Sequence, residues 1–511
     1  MSGLNLKRLK HYEKLALIFS GFMFLGLLVL SHFHKMGSYG FETDFYWAYA
    51  PDAKNILNGK MPEEPGVGPG YALVLAGLNL IFNDWFFTGK MISVLSAVLC
   101  GYFIFKMLQE LFNSKVAFFT MILWHVTVMP FAVVASTDMF FAFLVTCGIY
   151  FFYRKGVFSN SNLVLSGLLM AYAYLTRHNA VVLPICVAMV ILIINPESWT
   201  WKKRFTNLAL FGAVFGGVLL PWTILLELNS GDAVRSDSYL IIASHFYGRP
   251  GVIGSEDMRL AAKKFDSLKS VIFYDFKHFV KHYVFNIYRH FYDLLIHSIK
   301  FPSFLFVGAG GLMLFRNLSK RQFSLFLFPA LSFLLLCLVH YEPRYYLYII
   351  GFFMFLGAFF LFHDEAVQKK NPGYFGLIHG RELAYAVTIF FLLVFSLKEI
   401  KKTISAEPRE LLEISSVLRE NVQEDESMIA RKPHLGFLAN LRTKYFPEST
   451  TVSELLEYAK KERANYLLYG EVEAEHRPQL KMLLKPENAP EALKPLLVWE
   501  KPRTVVYKLR I

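Results

Sequence analysis

Along this chain, long apolar runs alternate with short turns that are polar and often basic. A run of about 17 to 25 apolar residues has the length that crosses a bilayer as a helix. The pattern predicts such spans at about 15–31, 85–108, 116–135, 138–153, 162–176, 179–195, 207–228, 299–315, 322–339, 345–362 and 382–398. Residues 69–82, "PGYALVLAGLNLIF", are apolar but shorter, the length of a re-entrant or interfacial helix rather than a crossing.

Charge decides how these runs thread the membrane. If 69–82 does not cross, then Lys7/Arg8/Lys10, Lys106/Lys115, Arg154/Lys155, Lys202/Lys203/Arg204, Arg316/Lys320/Arg321 and Lys369/Lys370 all lie on one side. The positive-inside rule makes that side the cytoplasm. If it does cross, every cluster after the first moves outside. The consistent reading is an α-helical polytopic membrane protein with about eleven spans, its N-terminus inside and its C-terminus outside. No small-residue cleavage pattern precedes His32, so the first apolar run reads as a retained span.

From about 399 the composition changes to mixed charge. "AEPRELLEISSVLRE" and "TVSELLEYAKKERA" have helical periodicity, and "NYLLYG", "PLLVW" and "TVVYKLRI" read as short strands. The chain therefore divides into a membrane module, 1–398, with outer loops at 32–84 and 229–298, and a small extracytoplasmic α/β domain at 399–511.

Composition adds two exclusions. The net charge of +13 would suit a nucleic-acid partner, but the Lys and Arg residues cluster between apolar runs, where orientation needs them. Cys100, Cys147, Cys186 and Cys337 all fall inside apolar runs, so the polar segments hold no thiol for disulfide, zinc or nucleophilic chemistry.

The unusual polar residues collect on the outer side. "GSYGFETDFYWAYAPDAKNILNG", 37–59, places Glu42 and Asp44 before an aromatic, amphipathic helix expected to lie in the membrane interface. Asp44 there reads either as a wetted carboxylate that accepts a proton from an incoming hydroxyl or as a solvated loop acid or helix cap. Asp138 opens a span directly after "VVAST". "YLTRHNAVVLP" sets Arg177 and His178 in a tight turn, and "HYEPRYYLYIIG" does the same for His340, Glu342, Arg344 and Tyr345. Either arginine alone could snorkel to lipid phosphates. Two carboxylates and two arginines converging on one face instead form a site for a phosphorylated lipid. In 273–297, His278 and His282 stand four apart on a helix, a spacing that can ligate zinc, but the aromatic surroundings favour an interfacial helix covering a cavity. His245 and Arg249, in "SHFYGRPG", are further candidate substrate contacts.

Asp44 with its aromatic helix, "PGVGPGYALVLAGL", "YLTRHNAVVLP" and "EPRYYL" together resemble the membrane glycosyltransferases of the GT-C fold. The group they resemble is the bacterial family 39 type, related to protein O-mannosyltransferases and the lipid A aminoarabinose transferase, over roughly residues 10–360. The resemblance implies a polyprenyl-phosphate sugar as donor. It implies Asp44 as catalytic base, Asp138 as second acid with Glu42 as another candidate, and Arg177 and Arg344 on the donor phosphate. His178 and Tyr345 join His245 and Arg249 as candidate substrate contacts. Relatives commonly carry Glu directly after the aspartate, whereas here Phe45 follows and Glu42 stands two residues earlier. No cofactor is implied with confidence, and a divalent metal stays open.

The expected activity is inverting transfer of a hexose or pentose to an acceptor hydroxyl on the outer, periplasmic face of the inner membrane. The acceptor is a lipid, protein or polysaccharide. Two readings compete. A polytopic transporter or flippase would need ionisable groups at mid-span, and these are sparse; a non-enzymatic scaffold would act through its C-terminal domain.

Overall fold

The computed structural model describes residues 3–40, 42–62, 67–154, 160–231, 238–248, 255–314, 318–362, 375–423, 426–447 and 451–510, without the side chains of 3–10, 230, 255–257, 259 and 375–379. Lys155, Arg249, Arg316, Lys369 and Lys370 therefore lie outside the described residues, as do the side chains of Lys7, Arg8 and Lys10. The chain divides into two compact units. The first comprises residues 1–31, 64–74 and 88–400, and the second 32–63, 75–87 and 401–511.

The first unit is helical. Among the described residues six helices are long and apolar enough to cross a membrane, including Trp85–Leu111, Ser114–Ala132, Trp201–Asn229 and Pro343–Phe362; shorter apolar helices include Asp138–Tyr153 and Ser303–Leu314. The run expected at 322–339 is broken into Lys320–Leu325 and Leu327–Leu336. Pro329 lacks the N–H that would bond the Leu325 carbonyl, so the ladder loses a rung where the break occurs. Residues 69–82 form the 13-residue helix Gly70–Phe82, too short for an upright crossing.

Helix Asp138–Tyr153 fixes the two ends of this unit. At its C-terminal end Arg321 donates to the Tyr153 carbonyl and sits 4.0 Å from Glu197, and Gln322 bonds the Leu111 carbonyl at 2.8 Å. Arg204 bonds the Leu192 carbonyl at 2.7 Å. Arg321 thus lies at the Tyr153 end of the helix, and Asp138 marks the other.

Tight helix crossings depend on glycine, as expected where no water drives helices together. A Cβ on Gly310 would overlap the backbone carbonyl of Leu356 in the neighbouring helix. Because backbone cannot swing aside, Gly310→Val is expected to destabilise by about 1–3 kcal/mol, read as a lower unfolding midpoint in detergent.

The second unit is built on a five-stranded sheet. Its strands are β1 (Ser427–Ala430), β2 (Arg442–Tyr445), β3 (Tyr466–Gly470), β4 (Leu493–Glu500) and β5 (Arg503–Leu509), in the order β2-β1-β3-β5-β4. β1 runs parallel to β2 and β3, while β5 is antiparallel to both β3 and β4. Helix Val452–Lys461 covers one face with Leu455 and Ala459. Helix Glu410–Arg419 covers the other with Leu411, Ile414 and Leu418, where Met36 from the first loop is buried among them.

The aromatic segment of the first loop also belongs to this unit. Phe45–Tyr49 is a π-helical turn continuing into helix Ala50–Leu57. Much of its aromatic face packs on protein. Tyr46 packs on His434 and Phe437, and Trp47 lies 4.2 Å from the Tyr445 ring. The rings find an apolar partner in the sheet unit, which satisfies them as well as acyl chains would.

Candidate functional site

Three distant turns meet at the Asp138 end of the first unit. Asp138 is the first residue of its helix and is buried. Arg177 follows helix Asn160–Thr176 in extended conformation, φ −152° and ψ 127°, which ends that helix and turns the side chain out of its row. Arg344 sits in the one-turn helix Pro343–Tyr346, whose leading proline needs no N–H partner. Arg177 Nη1 donates to Asp138 Oδ1 and, at 3.2 Å, to Thr137 Oγ1. Arg344 Nη1 lies 4.0 Å from Asp138 Oδ2.

Tyr345 presents its ring to both guanidinium groups, 5.1 Å from that of Arg177 and 5.3 Å from that of Arg344. In the contacts described two guanidinium groups face one carboxylate, planar forks of the kind that suit a phosphate ester. His178 packs against Tyr174 with ring centres 5.2 Å apart, and His340 against Tyr345 at 5.8 Å.

The glycine-rich run shows why Arg177 stands where it does. Gly68 has φ +83°, and a Cβ on it would overlap the Leu175 carbonyl. Tyr172 donates its hydroxyl to the Gly70 carbonyl at 2.8 Å. The "GPG" backbone is thereby pressed onto the last turn before Arg177, an approach only glycine permits. One participant escaped sequence reading: Thr137 accepts from Arg177. Apart from the cluster, Lys90, buried inside an apolar helix, bonds the Ser31 carbonyl at 2.8 Å. A lysine within a span is itself a signal that could have found Lys90.

Asp44 and Glu42 belong to the second unit. Asp44 is exposed and makes no helix-capping bond. Glu42 is buried and turned inward, accepting from the Ser38 backbone at 2.9 Å and from His34 Nε2 at 2.9 Å. His34 Nδ1 bonds Glu407 Oε1 at 2.7 Å, so both ring nitrogens face carboxylates, the arrangement of an imidazolium. With its oxygens engaged in this way, Glu42 does not fit as the partner of Asp44 in holding a divalent metal. Among the described residues no three His, Cys, Asp or Glu side chains are grouped to hold one.

Burial pulls the His34 pKa down, but Glu42 and Glu407 outweigh it and hold it up at about 9. His434, buried and near Lys432 and Arg431, is instead pushed down to about 3. Stability from His34 is complete below the ordinary histidine value of about 6.5 and lost as pH rises toward 9; that from neutral His434 is lost as pH falls below about 6.5. The unit is therefore expected to be most stable near pH 6.5, losing on the order of 3 kcal/mol by pH 9. Unfolding midpoints across this range check it, and His34→Gln should flatten only the alkaline side.

His245 lies in the first unit on helix Ser238–Tyr247, its ring 5.3 Å from that of His282 and its Nε2 3.0 Å from the Asn286 amide. Burial and neighbouring positive groups push His245 and His290 down to about 4. His278 uses Nε2 on the Phe246 carbonyl at 3.2 Å. These rings are part of an aromatic layer under helix Phe276–Asp293, whose other face exposes Phe276, Val284, Phe285 and Tyr288. The layer meets the Asp138 cluster at its edge: the His245 ring lies 6.5 Å from that of His340, which packs on Tyr345, and His290 Nδ1 bonds Tyr346 Oη at 2.6 Å.

This fold has counterparts among solved structures, and part of the chain matches a family model. Residues 64–223 match the family model of dolichyl-phosphate-mannose-protein mannosyltransferases. Among solved structures the chain is similar to ArnT from Cupriavidus metallidurans bound to undecaprenyl phosphate, with 13% identity and a TM-score of 0.61 over 96% of this chain and 97% of that one. It is also similar to the archaeal oligosaccharyltransferase AglB from Archaeoglobus fulgidus in complex with an inhibitory peptide and a dolichol-phosphate, with 14% identity and a TM-score of 0.59 over 91% and 70%. No curated protein matches the sequence significantly.

Proposed function

We propose that this chain is an inverting glycosyltransferase that moves a sugar from a polyprenyl-phosphate donor to an acceptor hydroxyl at the outer face of the inner membrane. The observation that carries the reading is the convergence of Arg177 and Arg344, from turns 167 residues apart in sequence number, on the single buried carboxylate of Asp138. Support also comes from the solved relatives, of which ArnT was seen with undecaprenyl phosphate and AglB with a dolichol-phosphate. Arg154 and Arg321 at the Tyr153 end support a cytoplasmic placement of that end, with the N-terminus inside and the C-terminal domain periplasmic.

In the proposed step, Asp44 takes the proton of the acceptor hydroxyl as its oxygen attacks the anomeric carbon. The new C–O bond forms as the bond from that carbon to the phosphate oxygen breaks, and the electron pair leaves with the polyprenyl phosphate. The transition state is oxocarbenium-like, and displacement in one step inverts the anomeric centre. Phosphate charge grows as the bond breaks, and the two guanidinium groups stabilise it more than they stabilise the intact diester. Asp138 keeps both arginines aimed at one point.

The test is a proteoliposome assay with purified protein, polyprenyl-phosphate sugar in the bilayer and candidate acceptors outside. The expected result is release of polyprenyl phosphate matched by a glycosylated product of inverted configuration. Movement of the intact sugar lipid across the bilayer, with no product for any acceptor class, would favour the transporter reading instead.

A further inference from the structure

Within the second unit one stretch of the C-terminal portion grips the segment that bears Asp44. Lys432, just after β1, is half-buried and donates from Nζ to Thr43 Oγ1 at 3.2 Å. Its ammonium also interacts electrostatically with Asp44, the next residue along. Arg431 points elsewhere, 3.9 Å from Glu473 and over the Tyr39 ring. His434 contacts the Ser38 carbonyl through Nε2 at 3.2 Å and packs on Tyr46 with ring centres 4.4 Å apart. Further along, Lys54 bonds Asn440 at 3.1 Å and Tyr445 stacks on Trp47.

These contacts differ in kind. The aromatic and histidine contacts hold the backbone on either side of Asp44, and Lys432 anchors a cation on Thr43, one residue from the carboxylate and within electrostatic range of it. A long, charged side chain loses rotamer freedom when half-buried, a cost that a single hydroxyl bond scarcely offsets. A carboxylate that must accept a proton along one direction, by contrast, gains from a fixed cation that restrains its rotation.

We propose that Lys432 is a positioning residue for Asp44: anchored on Thr43, its ammonium orients the carboxylate toward the acceptor hydroxyl. The inference rests on Asp44 acting as the base in the reaction above. It makes the C-terminal portion part of the transfer machinery and assigns this role to the segment that follows its first strand.

The experiment uses the full chain in proteoliposomes with polyprenyl-phosphate sugar and measures kcat and donor KM for five variants. Misplacing a catalytic group by about 1 Å costs up to roughly a hundredfold. Lys432→Met is therefore expected to lower kcat roughly ten- to a hundredfold while donor KM stays within about twofold. Lys432→Arg should restore most of the rate. Lys432→Gln, which can still bond Thr43 but carries no charge, should stay as slow as the Met variant. In an Asp44→Asn background Lys432→Met should cost nothing further, because the residue acts through the one already removed. A Gln variant as fast as wild type, or losses that follow the unfolding midpoint in every variant, would leave Lys432 a structural tether and overturn the proposal. If Asp44→Asn alone retains full transfer, the base assignment itself fails, and that outcome is separate from anything Lys432 does.

Discussion

Replacing Asp44 with Asn is expected to cut the turnover of sugar transfer roughly 10²- to 10⁴-fold, the range that a positioned general base contributes. The exchange keeps the shape of the side chain and removes its capacity to take a proton. Little else should change. Asp44 is exposed and makes no capping bond to the helix that follows, so the unfolding midpoint should stay within about 1 °C, as for a surface substitution worth less than about 0.5 kcal/mol. Binding of the donor lipid, followed by displacement of a fluorescent polyprenyl phosphate, should likewise be retained, since phosphate recognition is assigned to other residues. Asp44→Glu separates position from charge: a carboxylate displaced by one methylene should recover part of the rate at most. Turnover within twofold of wild type in the Asn variant, with donor and acceptor saturating, would remove Asp44 from the mechanism.

The second large effect is expected at Arg177, where stability and chemistry are coupled. Among the described contacts, Arg177→Met leaves the buried Asp138 carboxylate with the Arg344 guanidinium at 4.0 Å as its ion-pair partner. Stranding one member of a buried ion pair typically costs about 3–5 kcal/mol. The single variant should therefore fold poorly as well as lose activity, and inactivity alone would say little. The informative protein is Arg177→Met combined with Asp138→Asn, which removes the stranded charge together with its partner. Stability should return to within about 1–2 kcal/mol of wild type, because replacing both members of a pair is far less costly than breaking it. Transfer should remain roughly 10²- to 10³-fold down, the usual loss when a group that stabilises developing charge is removed. If the double variant regains full turnover along with its fold, the arginine serves packing and the phosphate role goes elsewhere. Arg344→Lys is a milder probe: it keeps the charge but loses the planar fork, so donor affinity should fall more than stability does.

Much of the membrane unit was legible because hydrophobic length and basic turns are local signals. Each expected span coincides with one or more apolar helices, and the short run at 69–82 was already marked as different. The break at 326 needed knowledge of where Pro329 removes a backbone bond, and hydropathy alone passes over it. In the sheet unit β3, β4 and β5 were readable as apolar runs between turn residues. β1 and β2 were not, being four residues each, too short to show alternation.

The candidate site divides in the same way. Arg177, Arg344 and Asp138 stood out because polar residues at span ends are few, and the resemblance placed them in order. The partners that come from far along the chain gave no signal. His34 and Glu407 are 373 positions apart, and Lys432 reaches a hydroxyl 389 positions earlier. Nothing in the periodicity around residues 34 or 432 hints at such pairings, since they follow from how the C-terminal sheet packs on the first loop. The aromatic run after Asp44 shows the same gap: a sequence rich in Phe, Tyr and Trp fits lipid and protein equally well, and only tertiary structure distinguishes them.

Helix Asp138–Tyr153 has sixteen residues and a buried acid at its first position. At 1.5 Å per residue it rises about 24 Å, whereas the acyl interior of an ordinary bilayer is about 30 Å deep. The two polar ends cannot both reach headgroup level through a membrane of full thickness. Either lipid thins around the protein, or, in the proposed reaction, the polyprenyl donor sinks several ångströms, dragging its leading isoprene units below their neighbours, before its head reaches the guanidinium pair.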